Sequence, residues 1–277
     1  FPTYPIPLYA QEPRADATRE EIGTIRFGLG CGGGSPYPMD AVYNIETGFG
    51  GSDLTFAVTP SGIVHSTNCA GRGLALLNTT NGEITDLGGD LTRAKVSPDG
   101  ARVVAITGGS VVIVNLETGG RQTISTAHSP DQVAWGGDGN SIVYSTRILQ
   151  DGPLPLSEQE RVIFAERMGM AEVSIPHYSV RVGRVALSGG ETDLYSGPGW
   201  AVGRLFVACG NLYFSVVPNG EGWVEAVTTG EIDTTTQAGV VGERATVPVT
   251  LLRVSINGGE ATEIATDITQ ATLHPSS

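Results

Sequence analysis

Residues Ala94–Gly100 read AKVSPDG, and related sequences recur on both sides of this stretch. Phe56–Gly62 read FAVTPSG, Val133–Gly139 read VAWGGDG, and the last residues, Ala271–Ser277, read ATLHPSS. Each copy is a short apolar segment followed by Pro, Asp or Ser, which favour a chain reversal, and in most copies by a closing Gly. The recurrence predicts a structural repeat of about 40 residues.

A second pattern recurs in step with the first. Apolar segments that end in a Gly-rich hairpin turn stand at Leu76–Glu83, Ile113–Gly120, Arg184–Glu191 and Arg253–Glu260. Each of them is followed by a short polar strand, and between the two patterns lies one further apolar strand, at Ile63–Asn68, Arg102–Thr107, Ser141–Thr146 and Asn211–Val216. The repeat is therefore four short strands joined by three hairpins.

Four such repeats start near Leu54, Leu91, Asp131 and Ala201. Four-stranded units of this length are the blades of β-propellers, so we expect an all-β fold, a propeller of four-stranded antiparallel blades. The strand at Ile268–His274 opens a fifth blade. Two ways of completing it stay open: N-terminal strands join it, or the chain continues beyond Ser277 and closes elsewhere.

The N-terminal strands of the first alternative are Thr24–Gly30 and Val42–Gly48, of which the second is similar to Ile113–Gly119. We divide the chain into an N-terminal extension, partly irregular, over residues 1–40 and a propeller domain over 41–277.

Ser97–Thr107, SPDGARVVAIT, with Ser110–Ser125 resembles the PD40, or WD40-like, repeat of TolB-like β-propellers, and Gly136–Thr146 is a weaker copy. The resemblance extends from about Leu54 to the end of the chain. It implies the fold and says little about activity, because the family includes periplasmic scaffolds, propeller domains beside serine peptidases, and bacterial surface proteins.

Composition excludes several classes of protein. Of 277 residues 39 are Gly, without a collagen period, and a net charge of −13 makes nucleic acid a poor partner. No apolar run is long enough for a membrane span. The chain begins at Phe1 rather than Met, so we expect an extracytoplasmic protein (periplasmic, secreted or on the cell surface) that has lost a signal peptide, or a piece of a longer chain.

Three cysteines leave at least one thiol unpaired. Cys31 and Cys69 both lie in Gly-rich sequence, and we expect them to form a disulfide in an oxidising compartment. Cys209, in the segment LFVACGNLYF, is expected to be a free thiol in the core.

Two of the repeats carry insertions between their second and third strands, at residues 148–177 and 218–247. The first predicts a helix over Ser157–Met168, with Ser157 as N-cap and Glu160 completing a capping box. Both insertions hold large apolar residues, and we expect them to contact a partner: Phe164, Met168, Met170, Trp223 and Val224. The alternative is that these side chains only pack the two insertions against each other.

No sequence motif for catalysis is present: the chain has neither a G-x-S-x-G elbow nor Cys and His spacing for zinc. We expect no cofactor. The one alternative is Ca²⁺, for which the second insertion offers Glu221, Glu225, Glu231 and Asp233, without the spacing of a calcium loop. Asn78-Thr79-Thr80 is an N-glycosylation sequon.

Two functions follow. The first is a non-catalytic module that binds a protein or a surface glycan, for example in a cell-surface or filament assembly. The second is a propeller domain accessory to an enzyme, such as a serine peptidase, whose catalytic part lies outside this chain. An α/β-hydrolase pattern after Ser277 in the reading frame would favour the second, and further repeats would favour the first.

Overall fold

A computed structural model describes residues 3–10, 20–28, 55–67, 72–232 and 249–268. The first two stretches form an antiparallel pair, β1 (Thr3–Ala10) with β2 (Glu20–Gly28). The remaining strands of the first half are β3 Phe56–Thr59, β4 Gly62–Ser66, β5 Arg72–Leu77, β6 Ile84–Val96, β7 Arg102–Thr107, β8 Ser110–Asn115, β9 Arg121–Ile124 and β10 Gln132–Trp135.

The described residues of the second half form strands and two helices. In order they are β11 Ser141–Pro153, α1 Glu158–Met168, β12 Pro176–Ala186, β13 Glu191–Pro198, β14 Ala201–Val202, β15 Phe206–Ala208, β16 Asn211–Val217, α2 Glu221–Thr229, β17 Val249–Ser255 and β18 Thr262–Ile268. The contacts divide the chain into two compact units. Along the chain the first unit ends at Ile142, in β11. It also includes residues 186–189, at the end of β12.

In the first unit, seven strands form one antiparallel sheet in sequence order, from β3 to β9. This sheet contains two of the expected four-stranded repeats, which share the long strand β6. Its first part pairs with β5, and its last part, from Thr92 to Val96, pairs with β7. The register is irregular beside Gly88 in the pairing with β5 and between Thr92 and Lys95 in the pairing with β7. Gly88 has φ of 140° and Arg93 has φ of 54°, so the backbone bends where the first repeat passes into the second.

The two repeats of this sheet bury one apolar cluster between them. Its side chains alternate along the strands, as a pleated sheet requires. They are Val64, Leu74, Leu76, Leu87, Leu91, Ala94, Val103, Ala105, Val112, Val114 and Leu116. Neither repeat has enough apolar surface to fold alone, so their stability comes from being packed together.

The other two repeats have the same strand order. One sheet runs β10-β11-β12-β13, and in the other β16, β17 and β18 follow one another, while β14 and β15 both pair with β16 as two pieces of an interrupted first strand. In the second unit a second apolar cluster is shared by β11 to β13 and by the last sheet, through residues such as Val143, Val182, Leu212 and Phe214. An all-β fold is confirmed for most of the described residues, and the predicted order of strands recurs along the chain. The strand pairs whose register the structure gives in these sheets are antiparallel, for example β12 with β13 and β16 with β17.

The SPDG turn that defines the repeat is closed by its own side chains. Ser97 Oγ donates to Asp99 Oδ1 at 2.5 Å, and Asp99 Oδ1 accepts from the amide of Ala101 at 3.0 Å. Gly100 has φ of 70°, a conformation that side chains with Cβ rarely adopt. The weaker copy has the same kind of turn, because the Asn140 amide donates to Asp138 Oδ1 at 3.0 Å and Gly139 has φ of 67°.

Turns of neighbouring repeats contact one another in the first unit. A Cβ atom built on Gly100 would lie 2.6 Å from Cδ of Pro60, in the turn of the preceding repeat. On the other side Arg102 donates to the carbonyl of Gly139 at 3.0 Å, and its guanidinium lies 4.9 Å from the ring centroid of Trp135. Three successive repeats are therefore joined through their turns.

Several predictions at the chain ends are not tested. β2 covers Thr24–Gly28 and pairs with β1, whereas the expected partner strand Val42–Gly48 lies outside the described residues. Of the strand expected at Ile268–His274 only Ile268 is described, as the last residue of β18, and the rest lies outside the described residues. Completion of a fifth blade, and the boundary at residue 40, stay predictions.

The contact between turns predicts different costs for two glycine substitutions. Gly119 has φ of 68°, close to that of Gly100, but nothing lies within 4 Å of a Cβ atom built on it. Gly119→Ala should therefore cost only the left-handed backbone, about 1–2 kcal/mol. Gly100→Ala should cost about 1–2 kcal/mol more, because the rigid ring of Pro60 has to move. Urea unfolding of both variants measures the difference, and equal losses would show that the turns do not support each other.

Candidate functional site

Each predicted insertion contains a helix, between the second and third strands of its sheet. Residues 148–153 and 176–177 of the first insertion belong to β11 and β12, and 233–247 of the second lie outside the described residues, so the full extent of the insertions stays a prediction. α1 lies between β11 and β12, and α2 lies between β16 and β17. The two helices pack against each other within the second unit. We call residues 154–175 and 219–232 the helical cap.

The sequence of α1 sets both of its ends. Ser157 Oγ accepts from the Glu160 amide at 3.2 Å, and Glu160 Oε2 accepts from the Ser157 amide at 2.7 Å, so the predicted capping box is confirmed. A hydrogen bond from the Ser157 hydroxyl, and after it the bond from the Ser157 amide, lower the pKa of the Glu160 carboxyl group. At the other end Gly169 adopts φ of 63° and closes the helix.

The helix α2 is not predictable from local sequence signals, because these are weak. Gly220 is the N-cap without a side-chain hydrogen bond, and Gly222 and two threonines are poor helix formers. The signal that could have revealed it is the spacing of the apolar residues Trp223, Val224, Ala226 and Val227, all of which are buried. The helix therefore depends on the surface that it packs against.

The interior of the cap is an apolar cluster. Phe164 of α1 meets Trp223 of α2 edge to face, with 4.9 Å between ring centroids, and Tyr178 meets Trp200 in the same way at 5.0 Å. The cluster also extends to the sheet below through residues of β16 and β17. Its buried members are Leu154, Phe164, Ile175, Trp200, Ala201, Val217, Trp223, Val224, Ala226, Val227, Ile232 and Val249.

A buried asparagine fastens the cap to β12. Asn219, 3% exposed, accepts from the Tyr178 amide through Oδ1 at 3.0 Å and donates to the Tyr178 carbonyl through Nδ2 at 2.9 Å. The Asn219 side chain thus bonds the backbone of Tyr178 in the way that the backbone of a neighbouring strand would. Without Asn219 the Tyr178 amide would lose this acceptor, although the Tyr178 carbonyl also accepts from the Gly199 amide at 3.2 Å. The position of the cap is therefore fixed by directed bonds as well as by packing.

The structure corrects the expected role of most of the predicted contact residues. Phe164, Trp223 and Val224 are at most 3% exposed, and Met168 packs against the same cluster. They are buried because two short helices are stable only when their apolar faces are covered. Only Met170, 47% exposed, reaches the surface. Partner binding by the cap stays a prediction, and it would need other side chains.

The outer surface of the cap is acidic and holds two exposed apolar side chains. The cap carries seven glutamates and two arginines, a net charge of −5. Val162 is 60% exposed and lies in α1 between the exposed residues Glu158 and Glu166, at spacings of four residues. Met170 continues this spacing after the C-cap. The outer face of α1 is therefore part charged and part apolar.

Two other predictions concern cysteines. Cys209 is free, as expected, but it is exposed rather than in the core. The strand β15 ends at Ala208, and Cys209 has φ of 48° in the turn that leads into β16, which places its side chain outside the sheet. Cys31 and Cys69 lie outside the described residues, and their disulfide stays a prediction.

The remaining site predictions also stay open. Asn78 is half-buried, and its Oδ1 accepts from the Thr80 amide at 2.8 Å, a type of turn bond that Asn115 also makes in the next repeat. Of the four acidic residues considered for Ca²⁺, Glu221, Glu225 and Glu231 are exposed and Asp233 is outside the described residues.

The described residues hold no group of three or more His, Cys, Asp or Glu side chains placed to bind a metal. Within the same part of the chain, no helix is long and apolar enough to cross a membrane.

Buried polar atoms without a hydrogen-bond partner are a feature that the sequence did not indicate. Among the described residues they include His65 Nε2, Gln132 Nε2, Ser145 Oγ and Trp223 Nε1. His65, 2% exposed on β4, has only its Nδ1 near a partner, the carbonyl of Ser66 at 3.0 Å. Burial lowers the pKa of this imidazole, so the folded protein holds it neutral.

No protein-family model matches the chain, and no curated protein matches it. Solved structures with a similar arrangement include the acylaminoacyl peptidase of Pyrococcus horikoshii, at 9% identity with a TM-score of 0.45. That match covers 78% of this chain, which spans 30% of the length of the peptidase.

Two further structures match most of this chain, and each has 12% identity and a TM-score of 0.45. A protein of Agrobacterium tumefaciens assigned as a TolB matches over 94% of this chain and 74% of its own length. An oligogalacturonate lyase solved with manganese matches over 95% of this chain and 61% of its own length. At such values the likeness decides neither the fold nor the activity of this chain, and the strand order described above stands on its own.

The buried imidazole of His65 predicts that the protein loses stability below neutral pH. The unfolded chain binds a proton at His65 near pH 6.5, which the folded chain resists, so acid favours unfolding. Between pH 7.5 and pH 5.5 the free energy of unfolding should fall by about 0.5–1 kcal/mol through this residue. His65→Gln should lose that part of the pH dependence. Urea unfolding at both pH values measures it, and an unchanged slope in the variant would contradict the assignment.

Proposed function

We propose that this chain is a non-catalytic, extracytoplasmic module that binds a macromolecular partner, a protein or a surface glycan, through the outer surface of the helical cap. The single observation that carries the proposal is the construction of the cap. Two insertions at equivalent places in neighbouring repeats form one packed body with its own apolar interior. A body with a fixed interior presents its surface side chains in fixed positions, as a specific contact requires.

The fastening of the cap supports this role. The two hydrogen bonds between Asn219 and Tyr178 and the edge-to-face pair of Phe164 and Trp223 hold the cap in one arrangement. The surface side chains of the cap are therefore ordered when the protein folds. Little conformational entropy is then left to be lost on binding. The function accordingly belongs to the insertions, while the repeated sheets serve as their support.

We also propose that the four repeats are blades of a closed TolB-like propeller. The first strand, β3, supports this, because Phe56 and Val58 are 57% and 79% exposed on the face that they share with the buried His65 and Ile63. A further blade packed on that face would cover them. The role of an accessory domain beside an enzyme remains the alternative, and the sequence beyond Ser277 distinguishes the two.

The proposal predicts that partners depend on exposed residues of the cap. Immobilised protein would be exposed to the secreted and surface fractions of the organism that produces it, and bound species would be quantified by mass spectrometry. Val162→Lys with Met170→Lys should lower capture of a true partner at least about tenfold, since charge is placed in a contact surface.

The matched control replaces two apolar residues with similar exposure outside the cap. Ile84 and Ile264 are 43% and 46% exposed, on β6 and β18. Ile84→Lys with Ile264→Lys should capture the same partner as the natural protein does. If no captured species separates the cap variant from the control, although both retain the circular dichroism of the natural protein, the cap is not a binding surface.

A further inference from the structure

We propose that the partner of the cap is a protein, and that it is bound through a basic segment with apolar side chains, laid along the outer face of α1. This inference rests on the proposed function and names the chemistry of the partner. It comes from the pattern of charge and exposure on the helix.

The outer face of α1 is not that of an ordinary surface helix. Such helices bury one apolar face and carry charged and polar residues on the other. Here the inner face is buried through Phe164, yet Val162 on the outer face is 60% exposed and Met170, just after the helix, is 47% exposed. Burial of these exposed apolar side chains against a partner would remove apolar surface from water, which favours binding. A methionine side chain also adapts its shape to a partner.

Carboxylates flank these apolar residues on the same face. Glu158 and Glu166 lie one helical turn before and after Val162, and both are exposed. With a net charge of −5, the cap attracts cations and repels acidic surfaces. Lysine or arginine side chains spaced around an apolar contact would complement both features at once.

The same observations disfavour a glycan. Sugars are commonly held against the face of an exposed aromatic ring, but the rings of the cap are buried: Phe164 is 1% exposed and Trp223 is 3% exposed. Sulfated or uronate glycans would also meet repulsion from the glutamates. A protein segment needs neither an aromatic platform nor a carboxylate-free surface, so it fits the cap better.

The test uses short synthetic peptides with a fluorescent label. The first is made of lysines and leucines arranged to give an amphipathic helix, the second has glutamate in place of lysine, and the third has serine in place of leucine. Binding to the full chain is measured by fluorescence anisotropy at low and at high salt. Only the first peptide should bind well, and its affinity should fall at least about tenfold at about 0.5 M salt, because exposed charge pairs are screened.

The place of binding is tested with two matched triple variants. Glu158→Gln, Val162→Ser and Glu166→Gln change the outer face of α1. Glu260→Gln, Glu263→Gln and Ile264→Ser make closely similar changes at exposed residues on and beside β18. The first variant should bind the lysine and leucine peptide about tenfold more weakly, and the second should bind it as the natural protein does.

Several results would overturn the inference. Equal losses in both triple variants would mean that the peptide responds only to the overall negative charge. Preference for the glutamate peptide, or saturable binding of a neutral oligosaccharide to the cap instead, would assign a different class of partner. The two proposals fail separately. If a captured partner depends on the cap although the peptides bind without regard to their charge, the proposed function stands and this inference fails. Capture unaffected by Val162→Lys with Met170→Lys refutes the function itself.

Discussion

Arg102 makes the contact on which the repeated architecture most depends. Its guanidinium pairs with Asp99 in its own turn at 3.3 Å, donates to the Gly139 carbonyl in the next repeat, and lies over Trp135. Trp135 in turn donates through Nε1 to the Lys95 carbonyl at 2.9 Å. Lys95 belongs to the same repeat as Arg102, so the two repeats are joined by contacts in both directions. Such links set the spacing of the second and third repeats, as the contact of Gly100 with Pro60 does for the first and second, which share the apolar cluster from β4 to β8.

The helical cap applies the same rule on a smaller scale. Neither α1 nor α2, of 11 and 9 residues, is long enough to be stable in water by itself. Their apolar faces are covered by each other and by the sheet that carries them. The side chains on the outer surface of the cap take no part in this packing. The glutamates around Val162 on that surface are the basis of the binding proposals.

Much of this arrangement could be predicted from the sequence, because turns and caps are local. SPDG, its copy GGDG, and Ser157 with Glu160 each specify their structure within a few residues, and all were found as expected. The predictions that failed depended on distant contacts. α2 gains its stability from burial of Trp223, and the burial of Phe164 and Val224 depends on how two insertions meet. Cys209 was misplaced because an apolar run gave no sign that its strand ends one residue earlier.

The most direct test of this account is native-state hydrogen exchange on the natural protein and on Arg102→Met, which keeps much of the length of the side chain and removes its charge and donors. If Arg102 joins the repeats, the slowest amides of β4, β7 and β10 should all lose protection, by the same free energy of about 1–2 kcal/mol. A loss of protection limited to β7 and the turn before it would contradict the account, since each repeat would then be held by its own contacts.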